Sequence, residues 1–123
     1  MQESIVGQDR FRRFTMNALQ TVLGLTNTVQ AISSVKIAFK GYILNNADSS
    51  SRWVQIFFRP STEVTLGTTA PDLTLQIGPT STVALDFENV FMEGTGFSAA
   101  ATTTETGTTA PTNRITGTIL YSI

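Results

Sequence analysis

The chain has 123 residues, 41% of them apolar and only 14% charged, with a formal net charge of -1, which is enough for one core and one domain. That balance argues against a nucleic-acid partner, which selects a clustered basic face. Histidine and cysteine are both absent, removing the commonest general base, the usual nitrogen and sulfur metal ligands, the thiol nucleophile and any disulfide.

The opening stretch, MQESIVGQDRFRRF, lacks the basic-then-apolar order of a signal peptide. No apolar run approaches the roughly 20 residues of a membrane span, so no membrane partner is expected. Arg10, Arg12 and Arg13 form the only local basic cluster, with Glu3 and Asp9 close by in sequence. Residues 1–32 mix two periods: Phe11, Phe14, Ala18, Val22, Leu25, Val29 and Ile32 keep helical spacing, while Phe14, Met16 and Ala18 alternate like a strand. Gly24 and the Thr26-Asn27-Thr28 run weaken a long helix. The reading is an N-terminal arm followed by a first extended segment, with the main domain at 33–123. Phe11 and Phe14, flanking Arg12 and Arg13, gain little free in water; they pack either on a neighbouring subunit or back onto their own domain.

From residue 35 strict alternation takes over. Val35, Ile37, Phe39 and Ile43 are apolar against Lys36 and Lys40. Val54, Ile56 and Phe58 share one face of Trp53–Arg59. Leu73, Leu75 and Ile77 alternate with Thr74 and Gln76, then Val83, Leu85 and Phe87 with Thr82, Ala84, Asp86 and Glu88. Phe97–Thr104 reads as a strand with a small-residue face after a connection at Asn89–Gly96, and Ile115, Ile119 and Tyr121 close the series. Side chains one apart point to opposite faces of a strand, so each segment offers a core face and an outer face. Threonine, at twenty-one positions, adds a β-branched bias in the same direction. The expected fold is all-β: a single antiparallel β-sandwich, jelly-roll-like or immunoglobulin-like, with an N-terminal arm. The polar Asn45–Ser51 stretch is expected to close a hairpin, and Gly78-Pro79-Thr80-Ser81 to link its strands in the same way. The pentapeptide Gly-Thr-Thr-Ala-Pro occurs twice, at 67–71 and 107–111, each copy before a strand. Because the flanking sequence does not repeat, similar turn chemistry explains it better than duplication.

Chemistry-bearing patterns are sparse. Asp86 and Glu88 fall on one strand face with Glu93 further on, the residue types of a glycosidase pair or a calcium site. The polar face of an ordinary strand carries the same residues, and no second acidic run accompanies them. Ser49–Ser51 and Ser98 have no histidine to activate them, and Gly94-Thr95-Gly96-Phe97 opens no helix that would cradle a phosphate. No catalytic residue, metal ligand or cofactor site is therefore assigned. Trp53, Gln55, Phe57 and Arg59 share the face of their strand opposite Val54 and Ile56. An aromatic-and-arginine face suits a subunit interface; it equally suits burial under other chain segments, or a platform for stacking sugars together with Tyr42.

Gly41-Tyr42-Ile43-Leu44-Asn45-Asn46, the polar turn and Trp53-Val54-Gln55-Ile56-Phe57-Phe58 resemble a pattern in tailed-phage structural proteins. In these, such a unit precedes a Gly-Thr-x-x-Pro loop and an alternating strand, here Gly67–Pro71 and Leu73–Leu75. Val83–Phe87, Gly96-Phe97-Ser98, Ala100–Thr104 and a last strand ending at Tyr121 follow in the same order, so the resemblance covers about residues 35–121. It departs at 78–81, where many phage proteins are richer in glycine. The resemblance implies a non-enzymatic virion component, made in the bacterial cytoplasm: a capsid decoration (cement) protein whose partners are the major capsid protein and copies of itself, such as a trimer. A tail or head–tail accessory protein and a glycan or receptor-binding module on the virion are the alternatives. The expected contact residues are Phe11, Arg12, Arg13 and Phe14 in the arm, and Trp53, Phe57 and Arg59 on the body.

Overall fold

The computed structural model describes residues 19–123, with side chains at 24–86 and 94–123. Eight strands follow in chain order: β1 (Leu19–Leu25), β2 (Gln30–Ser33), β3 (Ile37–Asn46), β4 (Arg52–Phe57), β5 (Leu73–Ile77), β6 (Ser81–Glu93), β7 (Phe97–Thr102) and β8 (Ile115–Ser122). One 3-10 turn, Ser61–Glu63, lies between β4 and β5. The strands form two four-stranded antiparallel sheets, ordered β1-β8-β3-β6 (sheet A) and β2-β7-β4-β5 (sheet B). The sheets pack face to face, as expected of a β-sandwich, and this strand order is that of a jelly roll, which decides against the immunoglobulin-like alternative.

The core fills the gap between the sheets. Ile37, Phe39, Leu44, Ile115 and Ile119 from sheet A meet Val54, Ile56, Ile77, Phe97, Ala99 and Ala101 from sheet B, all essentially inaccessible to water. Phe39 and Phe97 have ring centroids 5.2 Å apart, with Phe58 5.8 Å and Tyr121 5.9 Å from Phe97. Burying each such ring contributes roughly 1.5–3 kcal/mol, and with no cysteine for a disulfide this packing carries the stability.

Four expectations change. β1 pairs with β8 and β2 with β7, so both belong to the sandwich, and the boundary drawn between residues 32 and 33 does not divide the packing. The Asn45–Ser51 stretch is not a hairpin, because β3 lies in sheet A and β4 in sheet B; the β5–β6 link also crosses between sheets. These two corners are held by side chains instead of a strand ladder. Asn46, fully buried, donates through Nδ2 to the carbonyls of Ser50, Ile77 and Gly78, while its Oδ1 accepts from the Asp48 amide at 2.9 Å. The expected connection at Asn89–Gly96 shrinks, because β6 continues to Glu93. Finally, β3 does not keep one face inward. Its pairing with β8 slips by one residue between Phe39 and Gly41, leaving Lys40 as the extra residue of a β-bulge. Before the bulge the odd residues Ile37 and Phe39 are buried; after it the even residues Leu44 and Asn46 are. Ile43, expected in the core, is turned outward and is 50% exposed. A one-residue slip transfers every following side chain to the other face.

Candidate functional site

Phe11, Arg12, Arg13 and Phe14 lie outside the described residues. The second expected surface, on β4, is described, and its residues do not form one exposed platform. The register puts Trp53, Gln55 and Phe57 on the outer side of sheet B, opposite Thr102, Ala100 and Ser98 of β7. Yet Gln55 and Phe57 are fully buried, Trp53 is half-buried and only Arg59, past the strand end, is exposed. Phe57 is therefore withdrawn as a contact residue: its own chain covers it.

Loops close that face. Gln55 Nε2 donates to Thr102 Oγ1 at 2.9 Å and to the Gly107 carbonyl at 3.0 Å, bringing the β7–β8 connection over the sheet. Thr74 Oγ1 reaches the Glu105 carboxylate at 2.9 Å, and Asn27 Nδ2 donates to the Thr108 carbonyl at 3.0 Å. The two Gly-Thr-Thr-Ala-Pro copies meet here, since a Cβ on Gly67 would sit 2.6 Å from the Thr108 methyl carbon. The two middle strands of sheet B, β4 and β7, are thus largely buried on both faces, while the edge strands β2 and β5 keep exposed positions at Ala31 and Gln76. All six residues of β7 are buried, and the run Ser98-Ala99-Ala100-Ala101 is small because material presses on it from both sides. Gln55→Ala is expected to cost about 2–4 kcal/mol through the cavity and the lost hydrogen bonds. It should also open the 103–110 loop to protease at native-like conditions; urea melts and limited proteolysis check both.

Tyr42, Trp53 and Phe57 are not brought together for a sugar. Tyr42 belongs to sheet A and stacks on the core ring of Phe39, with centroids 6.3 Å apart, where burial pushes its phenol pKa up. Asp86 stands exposed on sheet A, while the side chains of Glu88 and Glu93 lie outside those described. Among the described residues no group of three or more acidic or other metal-binding side chains converges, and no helix is long and apolar enough to cross a membrane.

Two features were missed in the sequence. The first is the acceptor Asp48, buried at the corner between β3 and β4. Its Oδ2 accepts from Arg52 Nε at 2.6 Å and from the Thr112 amide at 2.9 Å; its Oδ1 accepts from the Asn113 amide and from Asn113 Nδ2, both at 2.8 Å. Burial acts to raise its pKa, but the hydrogen bonds from Arg52, Asn113 and Thr112 outweigh it and hold the carboxyl below the ordinary aspartate value. With both oxygens satisfied, Asp48 ties the segment before β8 to this corner. Arg52, four residues on, was the available signal.

The second is the outer face of sheet A. After the bulge the register aligns Ile43 with Ala84, and Gly41 with both Asp86 and Leu120. Beside them lies a shallow hollow of about 180 Å³ lined by residues Tyr42, Ile43, Ala84, Leu85, Asp86 and Leu120. Leu85 is 47% exposed at its edge, and nothing among the described residues closes this face as the loops close sheet B. No family model, curated protein or solved structure matches the chain.

Proposed function

We propose that this chain is a structural protein of a tailed-phage virion, a decoration protein that binds the outer surface of the capsid and stabilises the shell by added contacts. The observation that carries this reading is a jelly-roll body with a sheet A face that no described residue covers and that presents Ile43 and Leu120 beside Ala84 and Asp86. Jelly rolls serve in viral capsid and lectin domains alike, an analogy of fold. Set beside the sequence resemblance over residues 35–121, which spans β3 to β8, it favours the virion. The lectin-like alternative gains no support, because Tyr42, Trp53 and Phe57 lie on different layers of the sandwich.

The mechanism needs no reaction. Each bound copy adds buried interface, and any contact made only by the intact shell stabilises it by mass action. The arm residues Phe11, Arg12, Arg13 and Phe14 and the open face of sheet A are the contact elements of this reading, with the major capsid protein and further copies of the chain as partners.

Two measurements test it. Quantifying the chain in purified particles should give a copy number comparable with that of the major capsid protein; a handful of copies would place it at a tail or portal vertex instead. Adding the purified protein to undecorated shells should give saturable binding that is lost on deleting residues 1–14, while far-ultraviolet circular dichroism stays that of a folded β-protein. Undiminished binding by the truncated chain would remove the arm from the mechanism.

A further inference from the structure

We propose that the outer edge of β5 is a self-pairing surface, where two copies of this chain join antiparallel about a two-fold axis at Leu75, each sheet B continuing into the other. This does not rest on the virion reading; either can fail without the other.

The edge itself is the first argument. β5 is an outermost strand of sheet B, and no described residue pairs with its side away from β4. An open edge is a template for a further strand, and proteins blunt such edges with charges, prolines, bulges or very short strands. β2, the opposite edge of the sheet, is four residues long and bulged between Ala31 and Ser33. β5, Leu73-Thr74-Leu75-Gln76-Ile77, carries no charge and no proline, and its register against β4 is unbroken.

Hydrogen-bonding direction is the second. In an antiparallel sheet the N–H and C=O of one residue point to the same neighbour, and the direction alternates along the strand. The Ile56 carbonyl accepts from the Asp72 amide, so Ile56 faces β5. By alternation Val54 does too, and Val54 lies level with Leu75. Leu75 therefore bonds to β4, while Thr74 and Gln76 turn their N–H and C=O groups outward. A two-fold axis at Leu75 sets Thr74 level with Gln76 of the second copy, and all of these groups find partners. Centring on Thr74 would spend Gln76 on Asp72, whose amide is already given to Ile56. Centring on Gln76 would spend Thr74 on Gly78, whose carbonyl already accepts from Asn46 Nδ2.

Side chains are the third. The same axis sets Leu75 against Leu75 on the core side and Thr74 against Gln76 on the outer side, with no like charges opposed. Leu75 is half-buried and packs on the core, so the second copy covers what its own chain leaves open. A one-residue slip would set core-facing against outward-facing side chains, which fixes the register. The contact is isologous, so assembly through it closes at the dimer. Confined to one strand edge, it lies at the small end of interface sizes and gives a weak, concentration-dependent dimer.

Sedimentation velocity of the wild type, carried into the submillimolar range, should show reversible dimerisation. Gln76→Pro removes an N–H that β4 does not use, and should raise the dissociation constant by at least about tenfold while leaving the urea midpoint in dilute solution little changed. Gln76→Lys keeps the backbone intact, sets a charge on the edge and should weaken the dimer likewise. Because the chain has no cysteine, Leu75→Cys reads the register. Its mild oxidation should give a disulfide-linked dimer about tenfold faster than that of Gln76→Cys, whose two copies stand diagonally across the axis. A wild type that stays monomeric, a dimer unaffected by both Gln76 variants, or equal cross-linking rates would overturn the proposal.

Discussion

Asp48→Ala is expected to remove about 3–5 kcal/mol of stability, a large part of the 5–15 kcal/mol typical of a domain. The side chain itself is small; the cost comes from its partners. The substitution leaves the Arg52 guanidinium without its carboxylate at a partly buried site, and strips the Thr112 and Asn113 amides of their acceptor. A fully buried donor so orphaned costs about 1–3 kcal/mol; Thr112 and Asn113 are themselves exposed, so the larger share comes from Arg52 and the lost anchor. With that anchor lost, the segment leading into β8 comes free from the β3–β4 corner. Because β8 is an interior strand of sheet A, the effect should reach global unfolding instead of stopping at a frayed loop.

The same group sets an acid limit. The folded-state pKa of Asp48 is below its ordinary value, so its contribution is fully present above the unfolded-state pKa near ~3.9 and is lost as pH falls through the folded value. Urea midpoints measured from neutral pH down to pH 2 should fall below pH 4 in the wild type, and fall less steeply there in Asp48→Asn. Parallel profiles for the two proteins would show that this carboxylate does not govern acid stability.

Gly117→Ala should be of similar size, about 3–5 kcal/mol, and for a different reason. Gly117 lies inside β8, paired with Leu23 on one side and Leu44 on the other. Its φ of 145° is a conformation open to glycine and strained for other residues. A Cβ there would also overlap the Ile43 carbonyl oxygen and come within 2.9 Å of the Leu44 Cα. The chain must either rotate out of the ladder, losing hydrogen bonds on both sides, or push β3 away from β8. With a denaturant slope of about 1–3 kcal/mol per molar urea, the midpoint should drop by one to several molar. An exposed control on the same strand, Thr116→Ala, should change it by less than about 0.5 kcal/mol.

The candidate surfaces divide along the line between local and long-range information. Trp53–Arg59 reads correctly as an alternating strand, and Val54, Ile56 and Phe58 do face the core. Its other face reads as exposed only because nothing local announces that residues 103–110, some fifty positions later, fold over it through Gln55 and Gly107. The converse holds on β3. Ile43 continues the odd-numbered apolar pattern of Ile37 and Phe39, and only the bulge at Lys40 turns it outward.

Composition and period-two alternation alone determined that this chain is an all-β sandwich with one core, and that histidine- or thiol-based catalysis is closed to it. Those properties follow from which atoms are present and from the two-residue repeat of a pleated strand, and neither depends on where a strand sits. Tertiary structure decided the rest: the jelly-roll order, the crossing corners fastened by Asn46 and Asp48, the covered middle of sheet B and the outward turn of Ile43. Each of these depends on residues far apart in sequence, and alternation is blind to which strands pair and to a single extra residue in a ladder.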